Sequence, residues 1–206
     1  MTTKTDNTNV GAKLALRRYF LNKYHAAGGV RVFDCCQGGG VIWGRLSKEF
    51  AFHRCWGVDV KPKKGRLKLR SERFLSQRGW NENVIDIDTY GSPWKHYAAM
   101  LPNLHQPTTV FLTIGQWQMG LDSEIPKALG ISGFRVPPGV AIKLHEIATR
   151  YCVAACYDHT IEVVEAAEAP RAATAQYVGL HLRPMKNGLL EQAVPTPDSK
   201  GRTDVS

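Results

Sequence analysis

Arg31-Val32-Phe33-Asp34-Cys35-Cys36-Gln37-Gly38-Gly39-Gly40 runs from an apolar segment through an acid into three consecutive glycines. It predicts a strand over 30–35, a glycine-rich turn, and a helix over 41–50. Cys55-Trp56-Gly57-Val58-Asp59-Val60 follows about 20 residues later and reads as a second strand, 56–60, ending near an acid. A strand, glycine turn, helix and acid-tipped strand form a βαβ unit suited to a nucleotide. The glycines let the backbone approach the ligand, and the later acid accepts hydrogen bonds from a ribose.

On the N-terminal side, residues 1–9 are polar and expected to be mobile. A helix over 10–25 follows, with Leu14, Leu21 and Tyr24 marking an apolar stripe and Arg17, Arg18 and Lys23 largely off it. Gly28-Gly29 ends it. Beyond the second strand come a basic loop, a short strand over 67–69, a short helix over 72–78 and a strand over 83–88. In Asn83-Val84-Ile85-Asp86-Ile87-Asp88 apolar and acidic residues alternate towards the end, as in a buried strand reaching a polar site. Ser92-Pro93 starts a helix running to about residue 104. A strand over 109–114, an irregular stretch over 115–138 and a helix over 138–157 follow. The last is marked by Val140, Leu144, Ile147, Tyr151 and Ala154. Two β-rich runs, 160–169 and 175–183, close a single domain spanning 10–183, and 184–206 reads as a disordered tail.

The composition fits such a domain. The chain has 206 residues, 43% of them hydrophobic, and no apolar run approaches the ~20 residues of a membrane span. The N-terminus lacks the apolar core of a signal peptide, so a cytoplasmic protein is expected. The five cysteines contain no CxxC pair, which argues against a zinc ribbon and for reduced, mostly buried thiols. A net charge of +9 favours a polyanionic partner, nucleic acid first, with solubility alone as the alternative.

Alternation of strands and helices predicts an α/β fold: a doubly wound, mostly parallel, seven-stranded, Rossmann-like sheet. With a C-terminal antiparallel hairpin it resembles the class I S-adenosylmethionine-dependent methyltransferases. Asp34-Cys35-Cys36-Gln37-Gly38-Gly39-Gly40 is similar to their D-x-G-x-G-x-G turn, with Cys36 where the first glycine stands. The resemblance implies S-adenosyl-L-methionine as cofactor, held by Asp34, Cys36, Gly38 and Gly40. Asp59 would take the ribose hydroxyls, Ser71 and Glu72 the adenine, and Asp86 would join the same site. A tight turn without ligand, and a capping role for Asp59, remain the alternatives.

Asp86-Ile87-Asp88-Thr89-Tyr90-Gly91-Ser92-Pro93 resembles the D-x-D-P-F/Y-G-S-P strand end of the tRNA guanine dimethyltransferase family, with Thr89 in place of proline. A further, looser likeness runs from Gly139 to Glu146. The resemblance implies methyl transfer to an exocyclic amino group of a base, RNA slightly ahead of DNA. An exocyclic amine is a poor nucleophile because its lone pair is conjugated with the ring. A carboxylate accepting its N–H bonds localises that pair and aims it. Asp88 would do this with the Thr89 carbonyl, and Tyr90 would stack on the extruded base. The other reading makes Asp86 and Asp88 a capped strand end and Tyr90 packing.

The basic run with Lys61, Lys63, Lys64, Arg66, Lys68, Arg70 and Arg73 offers a phosphate track or a solvated loop. Gln116 and Trp117 are placed to touch a base, and Trp94 is expected in the core. Neither His145-Glu146 nor Asp158-His159 has a third partner at metal-ligand spacing, so no metal is expected. So small a chain has little room for a separate target-reading domain, so a small substrate, a homodimer or a recognition partner is expected. Two rival functions remain: a methyltransferase of a small molecule or protein side chain, and a non-catalytic cofactor-binding scaffold.

Overall fold

The computed structural model describes residues 9–61, 67–89, 93–115, 141–169 and 175–185, the side chains of 141–148 excepted. The chain begins with α1 (Val10–Tyr24), β1 (Val30–Asp34), α2 (Val41–Leu46), β2 (Phe52–Asp59) and β3 (Leu67–Lys68). Then come α3 (Ser71–Leu75), β4 (Val84–Ile87), α4 (Trp94–Met100) with a 3-10 turn at Leu101–Asn103, and β5 (Thr108–Gly115). Last are α5 (Ala141–Asp158), β6 (Ile161–Glu168) and β7 (Ala175–Pro184). The seven strands form one sheet in the order β3-β2-β1-β4-β5-β7-β6. β1 to β5 pair in parallel, and β7 runs antiparallel between β5 and β6. The strand order reverses direction between β1 and β4, and ligands of open α/β sheets bind outside the carboxyl ends at such a point.

Period-two alternation in the strands divides the core into two layers. Phe33, Ile85, Ile87, Val110, Leu112 and Ile114 face one side, where Leu75, Trp94, Tyr97, Met100, Cys152 and Cys156 of α3, α4 and α5 cover them. Val30, Val32, Val84, Phe111 and Tyr177 face the other, under Leu14, Phe20 and Leu21 of α1 and Trp43 and Leu46 of α2. A Cβ on Gly179 of β7 would collide with the Phe20 ring, so this glycine sets how closely α1 lies on the sheet.

Several boundaries differ from the sequence expectation. β2 starts four residues early, because Phe52 to Cys55 continue the ladder with β1 despite exposed His53, Arg54 and Cys55. α2 stops at Leu46, before the turns at 47–49, and α3 stops at Leu75. β1 ends at Asp34, leaving Cys35 to begin the turn. The largest correction concerns α1. Arg17, read as lying off the apolar stripe, is 1% exposed, and Lys13 is 5% exposed. All five cysteines are free; Cys35, Cys152 and Cys156 are buried, Cys36 half-buried and Cys55 exposed. No helix among the described residues is long and apolar enough to cross a membrane.

A hydroxyl-bridged histidine pair joins α1 to the sheet. His25 Nε2 and His181 Nδ1 each lie 2.9 Å from Thr109 Oγ1, and the His181 ring stacks on Tyr24. One hydroxyl can donate to one ring nitrogen and accept from the other, which suits two neutral imidazoles. Burial, then the neighbouring His181 and Arg31, pushes His25 down to about 4. Burial and Arg183 push His181 down to about 4 against the opposing pull of Glu165. The unfolded chain titrates both near 6.5. Between those values it binds more protons than the folded chain, so stability rises with pH across the window and is lost as pH falls through it. The unfolding free energy from urea melts should therefore drop from pH 7 to pH 4, by on the order of 2 kcal/mol for the pair after allowance for solvent screening. His181→Gln should flatten that profile; an equally steep fall in this variant would remove the ring pair from the account.

Candidate active site

The carboxyl ends of β1, β2 and β4 carry the acids. Parallel register sets Asp34 beside Asp86 and beside Gly57. The strand ends are drawn together by backbone bonds from Cys35 N–H to Asp86 O and from Gln37 N–H to Val58 O, 2.8 and 3.0 Å. A Cβ on Gly57 would lie 2.7 Å from Asp34 O and 2.9 Å from Asp34 Cβ. Only a glycine permits this approach. Gly57→Ala should destabilise the fold by about 1–3 kcal/mol, read as a lower urea midpoint, by prying β2 from the turn.

The turn after β1 forms a shallow cradle. Gly38 and Gly40 have φ of 48° and 65°, the left-handed region that side chains avoid. Cys36 is not among the residues with positive φ, so a side chain is tolerated there without strain. Burial, followed by Asp34 and Asp59, pushes the Cys36 thiol well up, so it stays protonated and is a poor nucleophile. Asp59, at the end of β2, accepts from Gly38 N–H at 3.1 Å and Lys61 N–H at 2.8 Å. A carboxylate has about four acceptor positions, so capacity for a diol remains. Ser71 is buried as the first residue of α3, and the half-buried Glu72 lies 3.7 Å from His96 Nε2.

The β4 acids have partners that sequence reading missed. Arg17 Nε and Nη2 donate to the two Asp86 oxygens at 2.9 and 2.6 Å, and Trp43 Nε1 donates to Asp86 Oδ2 at 2.7 Å. The Arg17 guanidinium also lies 4.9 Å from the Phe111 ring centroid. Lys13 Nζ donates to both Asp88 oxygens, at 2.8 and 2.6 Å. Burial opposes the Arg17 charge, but Asp86 outweighs it and holds the guanidinium pKa above its ordinary value. Among the described residues the Asp34 side chain has one donor, Cys36 N–H at 3.2 Å. Burial first, then the Asp86 and Asp88 charges, pushes the Asp34 carboxyl well above the carboxylate range. Asp86 and Asp88 are thus each matched by one cation, Arg17 and Lys13, while Asp34 is held towards its protonated form beside them. A cationic ligand at the turn would favour ionised Asp34.

Two hydroxyls border the same edge. Thr89 Oγ1 and Thr113 Oγ1 are buried without a hydrogen-bond partner among the described residues, an arrangement that costs about 1–3 kcal/mol per group unless a ligand or water meets it. Lys68 pairs in register with Asp59, and Lys61, Arg70 and Arg73 are exposed nearby in the chain. Trp94 is in the core, 1% exposed. Asp158 and His159 are exposed at the end of α5. Tyr90, Lys63, Lys64, Arg66, Gln116, Trp117 and Ser92 lie outside the described residues, as do the side chains of His145 and Glu146. The structure therefore brings together Asp34, Cys36, Gly38, Asp59, Asp86 and Asp88. It adds Lys13, Arg17 and Trp43; the first two were signalled in the sequence only as two cations one helical turn apart, and Trp43 not at all.

No family model matches the chain, and no curated protein sequence matches it. Solved structures do. Trm1 from Pyrococcus horikoshii, in complex with S-adenosyl-L-methionine, is similar with a TM-score of 0.61 and 13% identity over 84% of this chain. The match covers 54% of the Trm1 chain, so this chain spans about half its length. The plantazolicin methyltransferase BamL, solved with a desmethyl substrate analog and SAH, has a TM-score of 0.55 and 9% identity over 87% of each chain. A Lactococcus lactis protein described as a hemolysin has a TM-score of 0.54 and 13% identity, over 83% of this chain and 86% of its own. Strand order, the antiparallel end and these likenesses agree: the chain has the fold of the class I S-adenosylmethionine-dependent methyltransferases.

Proposed function

We propose that this protein is an S-adenosylmethionine-dependent methyltransferase acting on an exocyclic amino group of a nucleic-acid base, with RNA favoured over DNA. The observation that carries the reading is Asp88, one residue past β4 at the point where strand order reverses, beside the acid-lined turn at Asp34. The cofactor fits the residues present: Asp59 for the ribose hydroxyls, Gly38 and Gly40 for close backbone approach, and Asp34, whose ionised form the cofactor's positive charge would favour. When bound, it supplies a sulfonium-activated methyl group. Asp88 accepts the acceptor amine's N–H bonds and directs the nitrogen lone pair at the methyl carbon. The cofactor would supply the methyl group and leave as the neutral thioether, and the amine's surplus proton would pass to solvent. Alignment supplies most of the rate, since the donor is already activated. Tyr90, by resemblance, stacks on the base, and Lys63, Lys64, Arg66, Gln116 and Trp117 contact nucleic acid. RNA is preferred because residues 86–93 resemble the strand end of the tRNA guanine dimethyltransferase family, and the +9 charge suits a polyanion.

A second reading takes a small-molecule or peptide amine. It is favoured by the Lys13 ammonium on Asp88, an alkyl amine already seated on the proposed anchor, and by the plantazolicin methyltransferase BamL among the neighbours. Transfer of a labelled methyl group to tRNA, ribosomal RNA, DNA and protein fractions separates them. Label in RNA, together with salt-sensitive RNA binding, supports the first reading. Label in protein or small molecules only, with no polyanion binding at low salt, supports the second. Calorimetry without cofactor binding would overturn both.

A further inference from the structure

We propose that Lys13 is a positioning residue, one that fixes the orientation of the Asp88 carboxylate from the far side and so sets how that anchor meets an acceptor amine. The inference rests on the reading of Asp88 above and goes beyond it, because nothing in the sequence motif involves α1. The geometry is a match of two repeats. Residues four apart on a helix are separated by about 6 Å along the axis, and residues two apart on a strand by about 6.6 Å. Lys13 and Arg17 on α1 therefore meet Asp88 and Asp86 as a pair of rungs. The Arg17 rung is closed: Asp86 takes three donors and is 2% exposed. The Lys13 rung is open on one side. The lysine side chain is 6% exposed and the Asp88 side chain 25% exposed.

Lys13 is itself confined. Its ammonium lies 5.2 Å from the Tyr177 ring centroid, and Tyr177 pairs in register with Thr113 on β5. Ile87, the last residue of β4, pairs with Leu112 of β5, so Asp88 comes next after the strand where Thr113 comes next on β5. Asp88, Thr113 and Tyr177 thus form a row along the sheet edge on the α1 side, with the lysine beneath it. An ammonium donating to both carboxylate oxygens fixes the plane of the group and offsets its charge. Among the described residues only Lys13 donates to this carboxylate, which leaves its outward acceptor positions for an incoming N–H.

Lys13→Met tests this. In its crystal structure the Asp88 carboxylate should leave its wild-type orientation, while Asp86 stays on Arg17 and Trp43. With bulk tRNA as acceptor, kcat should fall about 10- to 100-fold with little change in KM, and Lys13→Arg should restore most of it. Hydrogen exchange across α1 should remain slow, because Arg17, Leu14 and Phe20 still hold the helix. An unmoved Asp88 in the Lys13→Met crystal would overturn the inference, as would loss of α1 protection in step with activity. A lower KM with undiminished kcat would make Lys13 a competitor for the anchor and also overturn it. If Lys13→Met does not fold, Lys13→Gln, which keeps one donor, serves for the same measurements. Failure of the functional reading looks different: the wild type would then transfer no methyl to RNA, whatever Asp88 does in the Lys13→Met crystal.

Discussion

Arg17→Met should lower the unfolding free energy by about 3–5 kcal/mol, the usual result of removing one partner of a buried ion pair. Asp86 would keep only the Trp43 donor, 2.7 Å away, and would hold an uncompensated charge in a site 2% exposed. For a domain of this size each kcal/mol moves Tm by about 2–4 °C, so thermal and urea melts would both register the loss. The double variant Arg17→Met with Asp86→Asn should recover much of it, because removing both charges also removes the cost of burying them. Recovery separates a charge effect from simple loss of packing against Phe111. A single variant within about 1 kcal/mol of wild type, a surface-pair value, would show that Asp86 is not dry in solution.

The second large effect is catalytic. Asp88→Asn should reduce methyl transfer about 100- to 1000-fold, the scale of losing a preorganised polar group at a reacting centre. Cofactor affinity should change by no more than a few-fold, because Asp59 and the Gly38 turn are untouched. The amide keeps one carbonyl acceptor, so Lys13 retains a hydrogen bond and the fold should survive, as a melt within a few degrees of wild type would show. Transfer undiminished in Asp88→Asn would remove Asp88 from the chemistry and leave it a strand-end acid held by a helix. Loss of cofactor binding in parallel would move Asp88 to the cofactor's side of the site.

The glycine turn and its two strands were legible because the signal is local. Asp34, Gly38 and Gly40 stand within seven residues, and Asp59 follows at a spacing set by one helix. The antiparallel end was legible for a similar reason, since two β-rich runs follow α5 without a helix between them. The partners of the β4 acids were not legible. Arg17 lies 69 residues from Asp86 and Lys13 75 residues from Asp88, and no periodicity in α1 distinguishes a buried cation from a solvated one. Apolar periodicity reports which face meets oil. It does not report a charged face meeting an opposite charge. The early start of β2 escaped for a related reason: its first residues hold the ladder by backbone bonds while His53, Arg54 and Cys55 point to solvent.

The two rungs between α1 and β4 also bear on the order in which the protein assembles. α1 precedes every strand of the sheet in the chain, yet its docking face carries two cations that are costly to dehydrate until Asp86 and Asp88 stand ready. Local contacts form first and distant ones wait on loop closure. The helix should therefore coil early and seat late, after β1, β4 and β5 have met. Leu14→Ala would then accelerate unfolding and leave the folding rate nearly unchanged, a φ-value near zero. A value near one would place α1 in the nucleus.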